Sequence, residues 1–387
     1  MPKQNAQLAI VGAEIYTPFA RFFPGTIVLD GDRIAAVGPE HSTAVPPEAK
    51  RREARGLTLA PGYLDLHMHG RAGVDALASD PGVVRKIAAA LPETGVTGFL
   101  AGLMSAPLDD LRAALQAISQ AGDFPGARLL GVHLEGPYLN PDYKGAHPRE
   151  YLREPADGAY RDLVSEFPSL IRAVTVAPEL PGGMEMIAWL RERGIVVWLG
   201  HSGATYEQAE AAIAAGARVI THTFNAMIPF RHREPGLVGA ALTDDRVYAE
   251  VIADLIHVHP ATIRLVVRAK GPSRVMLVTD SMAGAGLPDG RYRLGDHEVT
   301  VRGGEARLED GTLAGSTLRL DRAVANTLEA AGLSFPQALP MVTANPAQVL
   351  GTKEYGELRP GAAADLLLLR EGQIETVIIR GQVAWEG

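Results

Sequence analysis

Eight short apolar runs, each followed by a stretch of helical character, fill the middle of this 387-residue chain and narrow the folds open to it. The runs lie near 57–67, 97–102, 129–134, 172–177, 195–200, 218–223, 248–254 and 274–279, with helical patterns between them, as at 83–91, 108–121, 183–193, 206–215 and 260–270. Strands that are apolar along their whole length belong to parallel sheets covered by helices. Eight of them predict an α/β fold, a closed (β/α)8 barrel of TIM type, in place of an open doubly wound sheet. No GxGxxG follows a strand and no GxxxxGK followed by Ser or Thr occurs, which leaves nucleotide-binding folds without support.

The two ends have a different texture. Residues 8–11, 26–30 and 33–37 are strand-like runs broken by turns such as Asp30-Gly31-Asp32, and residues 364–369, 375–380 and 381–385 repeat that texture around Glu371-Gly372. Such runs read as β structure, not as the start of a βαβ unit. The expected division is a small β-sandwich domain built from both termini, 1–56 and 350–387, and a hydrolase barrel over 57–349. Two stretches interrupt the barrel rhythm. Residues 291–313 hold two β-like runs around Gly303-Gly304 and read as a β-hairpin inserted after the eighth strand. Residues 136–155 form a long loop rich in Pro, Gly and Tyr, and long loops in a compact domain are commonly functional.

Composition limits the chemistry. The formal net charge is -8, which argues against a nucleic-acid partner, since such proteins carry a basic face; an anionic substrate would need a local cationic cluster. There is no cysteine, so disulfides and thiolate metal sites are excluded and any metal must be held by His, Asp and Glu. Met1-Pro-Lys-Gln-Asn-Ala-Gln7 lacks the pattern of a secretory leader, and the longest apolar runs, such as 195–199 and 366–369, are too short to span a bilayer. The expectation is a cytoplasmic protein with no membrane partner.

The strand ends carry the polar residues. The first ends Asp65-Leu66-His67-Met68-His69, the third His133-Leu134-Glu135-Gly136-Pro137, the fifth Gly200-His201-Ser202, the sixth Thr221-His222-Thr223 and the eighth Thr279-Asp280-Ser281, while the seventh leads to His257. In a closed parallel barrel these ends converge on one mouth, where active sites of the fold are built. His67 and His69, two apart on a strand, face the same side. Each of these groups taken singly reads as an ordinary structural residue; together, they need a shared centre, because gathering imidazoles and carboxylates at one end without a cation is costly. Imidazole and carboxylate suit zinc, iron or another divalent transition ion. One ion can take His67, His69 and Glu135, and a second His201, His222 and the same Glu135 as a bridge. A divalent ion brings the pKa of a bound water to about 7, and Asp280 is placed to accept that water's proton and return it to a leaving amine.

This pattern resembles the amidohydrolase superfamily: HxH on strand one after Pro61-Gly62-Tyr63-Leu64-Asp65, single histidines on strands five and six, and Asp on strand eight. Within it, the chain is similar to the branch that deacetylates N-acetylglucosamine 6-phosphate. The motifs are His133-Leu134-Glu135-Gly136-Pro137, Lys144-Gly145-Ala146-His147, Gly200-His201-Ser202, Thr221-His222-Thr223-Phe224-Asn225-Ala226-Met227, Arg233-Glu234-Pro235-Gly236, Ala253-Asp254-Leu255-Ile256-His257, Val278-Thr279-Asp280 and Leu313-Ala314-Gly315-Ser316.

The resemblance implies hydrolysis of the N-acetyl amide to glucosamine 6-phosphate and acetate, with Glu135, His201 and His222 on the shared metal and Asp280 as catalytic acid and base. It implies that Ala146, His147, Asn225, Ala226, Leu313, Ala314 and Gly315 contact the sugar or its acetyl group; the carbonyl is expected to be polarised by a metal, by His147 or by both, since developing negative charge needs a fixed positive partner. Arg233 and His257 match phosphate-binding positions, with Arg233 reaching in from the neighbouring subunit of a homodimer. Chains that keep both strand-one histidines can hold two ions, so either one or two, most naturally zinc, is expected.

Residues themselves support two of these points. Arg231-His232-Arg233 is a cationic knot in an acidic chain, and guanidinium forks match phosphate oxygens. The fourth strand has none of the chain's six lysines, so a carboxylated lysine bridge of the kind used by dihydroorotases, hydantoinases and phosphotriesterases is missing and Glu135 must bridge. The alternatives are deacetylation of a related N-acetyl amino sugar or its phosphate, and a non-catalytic amidohydrolase-like scaffold.

Overall fold

Parallel pairing in strict chain order organises the centre of the molecule. A computed structural model describes residues 7–17 and 20–387; residues 1–6, which carry most of the stretch read above for a leader, lie outside the described residues. Eight strands, Tyr63–Asp65, Val96–Met104, Arg128–Glu135, Ile171–Val176, Val196–Leu199, Val219–Ile220, Tyr248–Ile252 and Val275–Val278, pair each with the next. The first and last meet at their C-terminal ends, where Met68 bridges Ser281 in parallel, the Asp280 N–H donates to the His67 carbonyl at 2.8 Å, and the Thr279 hydroxyl donates to buried Asp65 at 2.7 Å. The result is a (β/α)8 barrel with a continuous core of Val, Ile, Leu and Ala from the strands and the inner faces of the helices. Helices begin where the sequence caps them: Thr205 and Gln208 form a reciprocal capping box at the start of Tyr206–Ala215.

Two expected strands are cut short. The run at 57–67 divides at Gly62, because Thr58–Pro61 joins a different sheet and only Tyr63–Asp65 enters the barrel. Gly62 allows that passage: a Cβ there would stand 2.1 Å from the Thr97 hydroxyl. The run at 218–223 keeps only Val219–Ile220 as strand, since His222 turns out of the sheet with φ 23.

Strands from both termini make one mixed sheet, in spatial order Gln382–Glu386, Gln373–Ile379, Leu366–Arg370, Thr58–Pro61, Gln7–Tyr16, Arg21–Asp30 and Arg33–Pro39, with Lys50–Glu53 also paired to Gln7–Tyr16. It folds as a β-sandwich domain around its own core of Ile10, Ile27, Leu29, Leu59 and neighbours. Strand alternation ties the two cores together. Leu366, Leu368 and Ile378 point into the sandwich, whereas Leu367, Leu369, Val377 and Ile379 point into the barrel. At the same contact Arg128, at the N-terminal end of barrel strand three, donates to Asp365 at 2.7 and 3.2 Å. The segment after the eighth barrel strand is a three-stranded antiparallel meander, Gly290–Leu294, His297–Arg302 and Glu305–Arg307, where a single hairpin was expected. The additional reversal is at Gly295-Asp296, with Gly295 at φ 54. Among the described residues no helix is long and apolar enough to cross a membrane.

The Arg128–Asp365 pair, whose side chains are 13% and 6% exposed, joins sandwich to barrel far from the mouth. Asp365→Ala leaves a nearly buried guanidinium unpaired, so unfolding by denaturant should show a loss of about 3–5 kcal/mol; a loss within experimental error would mean that the pair contributes nothing to the contact.

Candidate active site

The C-terminal ends of the barrel strands surround a cavity of about 390 Å³. Strand one delivers His67 and His69, strand three Glu135, strand five His201, strand six His222 and strand eight Asp280, all buried. Glu135 is the hub. Its Oε1 lies 3.4 Å from His67 Nε2, 3.2 Å from His201 Nε2 and 3.0 Å from His222 Nε2, while Oε2 lies 3.0 Å from His69 Nε2 and 3.3 Å from His147 Nε2. Asp280 Oδ1 stands 3.6 Å from His67 Nε2 and 3.3 Å from His69 Nε2. His201, His222 and Asp280 all have positive φ, at 47, 23 and 49. Non-glycine residues rarely adopt that region, and such strain clusters at functional sites.

These spacings fit a divalent ion. Two ligand atoms on a tetrahedral ion, each at about 2.0–2.1 Å, stand about 3.3 Å apart; Glu135 Oε1, His201 Nε2 and His222 Nε2 are separated by 3.0–3.2 Å, with 3.1 Å between the two nitrogens. His67, His69 and Asp280 form a second set of ligand atoms within mutual reach, with Glu135 between the two sets.

The outer nitrogens identify which rings can ligate. His201 donates Nδ1–H to the Tyr143 carbonyl at 2.8 Å, His69 to the Gly102 carbonyl at 3.2 Å and His67 to Glu250 at 2.7 Å, so each neutral ring presents a lone pair on Nε2. His67 Nε2 is buried without a hydrogen bond of its own, as a ligand atom aimed at an ion would be. His147 is wired the other way. Its Nδ1 accepts the Ser105 N–H at 3.1 Å, which leaves the proton on Nε2. Although His147 is near enough to Glu135 and His201 to share an ion, its inward atom is a donor.

Charge follows the same logic. Burial opposes ionisation of Glu135, but the charge of His67 and bonds from His147, His201 and His222 hold its carboxyl well below the usual range. Asp280 is likewise lowered against burial, by His67 and His69. Burial alone would lower His69, yet Asp280 and Glu135 outweigh it and push that ring up to about 10; His67 is also raised, by Glu135, Glu250 and Asp280 against burial. The carboxylates thus demand cationic charge, which ring protons or a divalent ion can supply. Burial drives His147 down to about 4, so it is neutral at physiological pH.

The other expected residues divide. Ala146, Asn225 and Ala226 line the cavity with His147, as do His257, Leu313 and Gly315. Ala314 is fully buried behind the wall, packed in a small cluster with Met282. His257 is held by Asp254, which accepts its Nδ1–H at 2.6 Å. Arg233 does not line the cavity of its own chain; it is exposed on a turn closed by Arg231 and Glu234.

Sequence reasoning missed three residues. Glu250 was legible as an acid inside an apolar strand. Ser105 carried no signal. Arg307, which lines the cavity while donating to the Gly311 carbonyl at 2.7 Å and to Glu305 at 2.8 Å, was one arginine among several in the meander.

Residues 58–384 match the model of the Amidohydrolase family. The chain is 41% identical over 355 residues to the N-acetylgalactosamine-6-phosphate deacetylase of Escherichia coli O157:H7, covering 91% of this chain and 92% of the relative. It is 37% identical over 353 residues to the N-acetylglucosamine-6-phosphate deacetylase of Vibrio furnissii, covering 90% and 86%. Among solved structures, the Mycobacterium smegmatis N-acetyl-D-glucosamine-6-phosphate deacetylase, as a point mutant in complex with N-acetyl-D-glucosamine-6-phosphate, superimposes with a TM-score of 0.91 at 34% identity, covering 98% of this chain and 100% of that one. The Pasteurella multocida N-acetylglucosamine-6-phosphate deacetylase gives 0.92 at 30% identity with the same coverage.

The hub geometry yields a test. Glu135→Gln removes the charge that both sets of rings share, so metal per subunit measured by elemental analysis should fall, with affinity weakened by more than the 10- to 100-fold typical of losing an outer support. Wild-type metal content in the folded variant would show that Glu135 is not a ligand.

Proposed function

Because the chain belongs to the amidohydrolase family, we propose that it hydrolyses the N-acetyl amide of N-acetylglucosamine 6-phosphate to glucosamine 6-phosphate and acetate. The observation that carries this reading is the convergence of Glu135, His201 and His222 on one point beside Asp280, on the wall of a cavity. Glu135, His201 and His222 would hold one divalent ion, and His67 and His69 a second that shares Glu135. Zinc is the proposed metal, since the donors are imidazole and carboxylate with no thiolate in the chain. The bound ion supplies a water of pKa about 7 and a Lewis acid for the carbonyl.

The chain's own residues do the rest. Asp280, lowered and therefore ionised, accepts a proton from the attacking water on Oδ and returns it to the amide nitrogen as the C–N bond breaks. His147 donates Nε2–H to the acetyl oxygen as that atom gains negative charge, and the Ser105 N–H on Nδ1 keeps the donor aimed inward. Ala146, Asn225, Ala226, Leu313 and Gly315 shape the pocket for the sugar and its acetyl group, with Ala314 packed behind them.

For the phosphate we assign His257 from the same chain and Arg233 from a second copy. An arginine outside its own cavity, on the same exposed segment as Phe230, which is 50% exposed, suits a loop that serves a neighbour; the functional unit would then be a homodimer. A phosphorylated sugar does not cross membranes unaided, and with the cysteine-free composition this favours a cytoplasmic location.

One observation supports a second reading. The Escherichia coli relative at 41% identity is named for the C4 epimer, so N-acetylgalactosamine 6-phosphate is the competing substrate. Acetate release from the two phosphorylated epimers and from free N-acetylglucosamine, with metal-reconstituted enzyme, decides between them. N-acetylglucosamine 6-phosphate is expected to be turned over with the highest kcat/KM, and no acetate from either phosphorylated epimer would refute the reading.

Asp280→Asn should lower kcat by about 100- to 10,000-fold while metal content stays near normal; substantial turnover would remove Asp280 from the proton relay. Arg233→Ala should raise KM about 10- to 100-fold. Mixing Arg233→Ala subunits with Asp280→Asn subunits should recover activity, because hybrid dimers contain one intact site. No recovery would place Arg233 outside the neighbour's site.

A further inference from the structure

Glu250 stands in the middle of barrel strand seven, between Ala249 and Val251, and is fully buried. Among the described residues its only ion-pair partner is His67. One carboxylate oxygen, Oε1, accepts Nδ1–H of His67 at 2.7 Å and the main-chain N–H of His222 at 3.1 Å; the other, Oε2, is buried and makes no hydrogen bond. A carboxylate placed there costs free energy unless its neighbours use its charge.

The two neighbouring ligand rings are oriented without such a cost. His69 and His201 donate Nδ1–H to the main-chain carbonyls of Gly102 and Tyr143. His67 alone donates to a charged acceptor. A carboxylate on the outer nitrogen fixes the tautomer and makes the inner nitrogen a stronger ligand. The same oxygen grips strand six where His222 leaves the sheet, and the Glu250 carbonyl accepts the Thr223 N–H at 2.8 Å. Glu250 therefore holds a ring of one candidate ion position and the backbone behind a ring of the other.

We propose that Glu250 is a positioning residue for His67 and that its carboxylate sets the ion affinity of the position formed by His67 and His69 with Glu135. This rests on the metal-dependent reading above and extends it: the strand-one pair carries an ion because strand seven supplies the outer charge.

The test is a zinc titration of the metal-stripped full chain against a chromophoric chelator, wild type beside Glu250→Gln. Gln keeps the size and can still accept Nδ1–H, but lacks the charge. One dissociation constant should rise about 10- to 100-fold and the other clearly less, so that at limiting zinc the variant holds fewer ions per subunit. Two unchanged constants overturn the proposal. Equal weakening of both also overturns it, because that marks general loosening and not a role at His67. A wild-type protein that binds no zinc refutes the metal-dependent reading itself, which separates the two failures. A measurement on the wild type covers the case in which the variant does not fold. In the zinc-loaded protein with ¹⁵N-labelled histidine, His67 should carry its proton on Nδ1 with a zinc-shifted Nε2; a proton on Nε2 would overturn the proposal.

Discussion

Everything at the barrel mouth is arranged around one buried carboxylate. Glu135 faces five imidazoles from three strands and a loop, and neither the acid nor the rings would be stable there alone. The strand ends pay for this locally: positive φ at His201, His222 and Asp280 costs about 1–3 kcal/mol each. Main-chain bonds hold those conformations, with Asp280 bonded to His67 on one side and Ser316 to Asp280 at 2.7 Å on the other. The bonds that close the barrel between its first and last strands are thus the ones that fix the site. Closing the sheet and building the site are one event in the chain.

That chemistry is insulated from the part of the molecule that joins its two cores. The terminal sheet meets the barrel through Leu367, Leu369, Val377 and Ile379 and through Arg128, which begins the strand that Glu135 ends. Stability of the joint and geometry of the site therefore sit at opposite ends of strand three, the usual division of labour in this fold. A strand with apolar residues on both faces serves two cores at once, which is why residues 366–369 read as an unbroken apolar run.

The strand-end histidines and acids were legible because they interrupt apolar runs at a place where topology forces convergence. Sequence could not give what depends on a neighbour's exact position. Gly62 divides a run that looks continuous because Thr97 leaves no room for a side chain. In sequence the meander looks like one hairpin because its first reversal, at Gly295-Asp296, lies between short mixed runs with little alternation to mark it. Arg307 reaches the cavity only through the bridge between its own strand and Leu313. Glu250 was visible as an acid in an apolar strand, but its role depends on the inward pleat of strand seven beneath His67.

The same limit governs histidine roles. By residue type and proximity, His147 is indistinguishable from His201: both are buried and both approach Glu135 within 3.3 Å. What separates them is the outer nitrogen. A main-chain carbonyl at Nδ1 makes His201 a lone-pair donor toward the centre, and a main-chain N–H at Nδ1 makes His147 a proton donor toward the same centre. The backbone, through Tyr143 in one case and Ser105 in the other, decides whether an imidazole binds a cation or stabilises an anion. A site that must polarise a carbonyl and hold an ion within a few ångströms needs both kinds, and this barrel obtains them from one residue type by changing only which backbone group sits behind the ring.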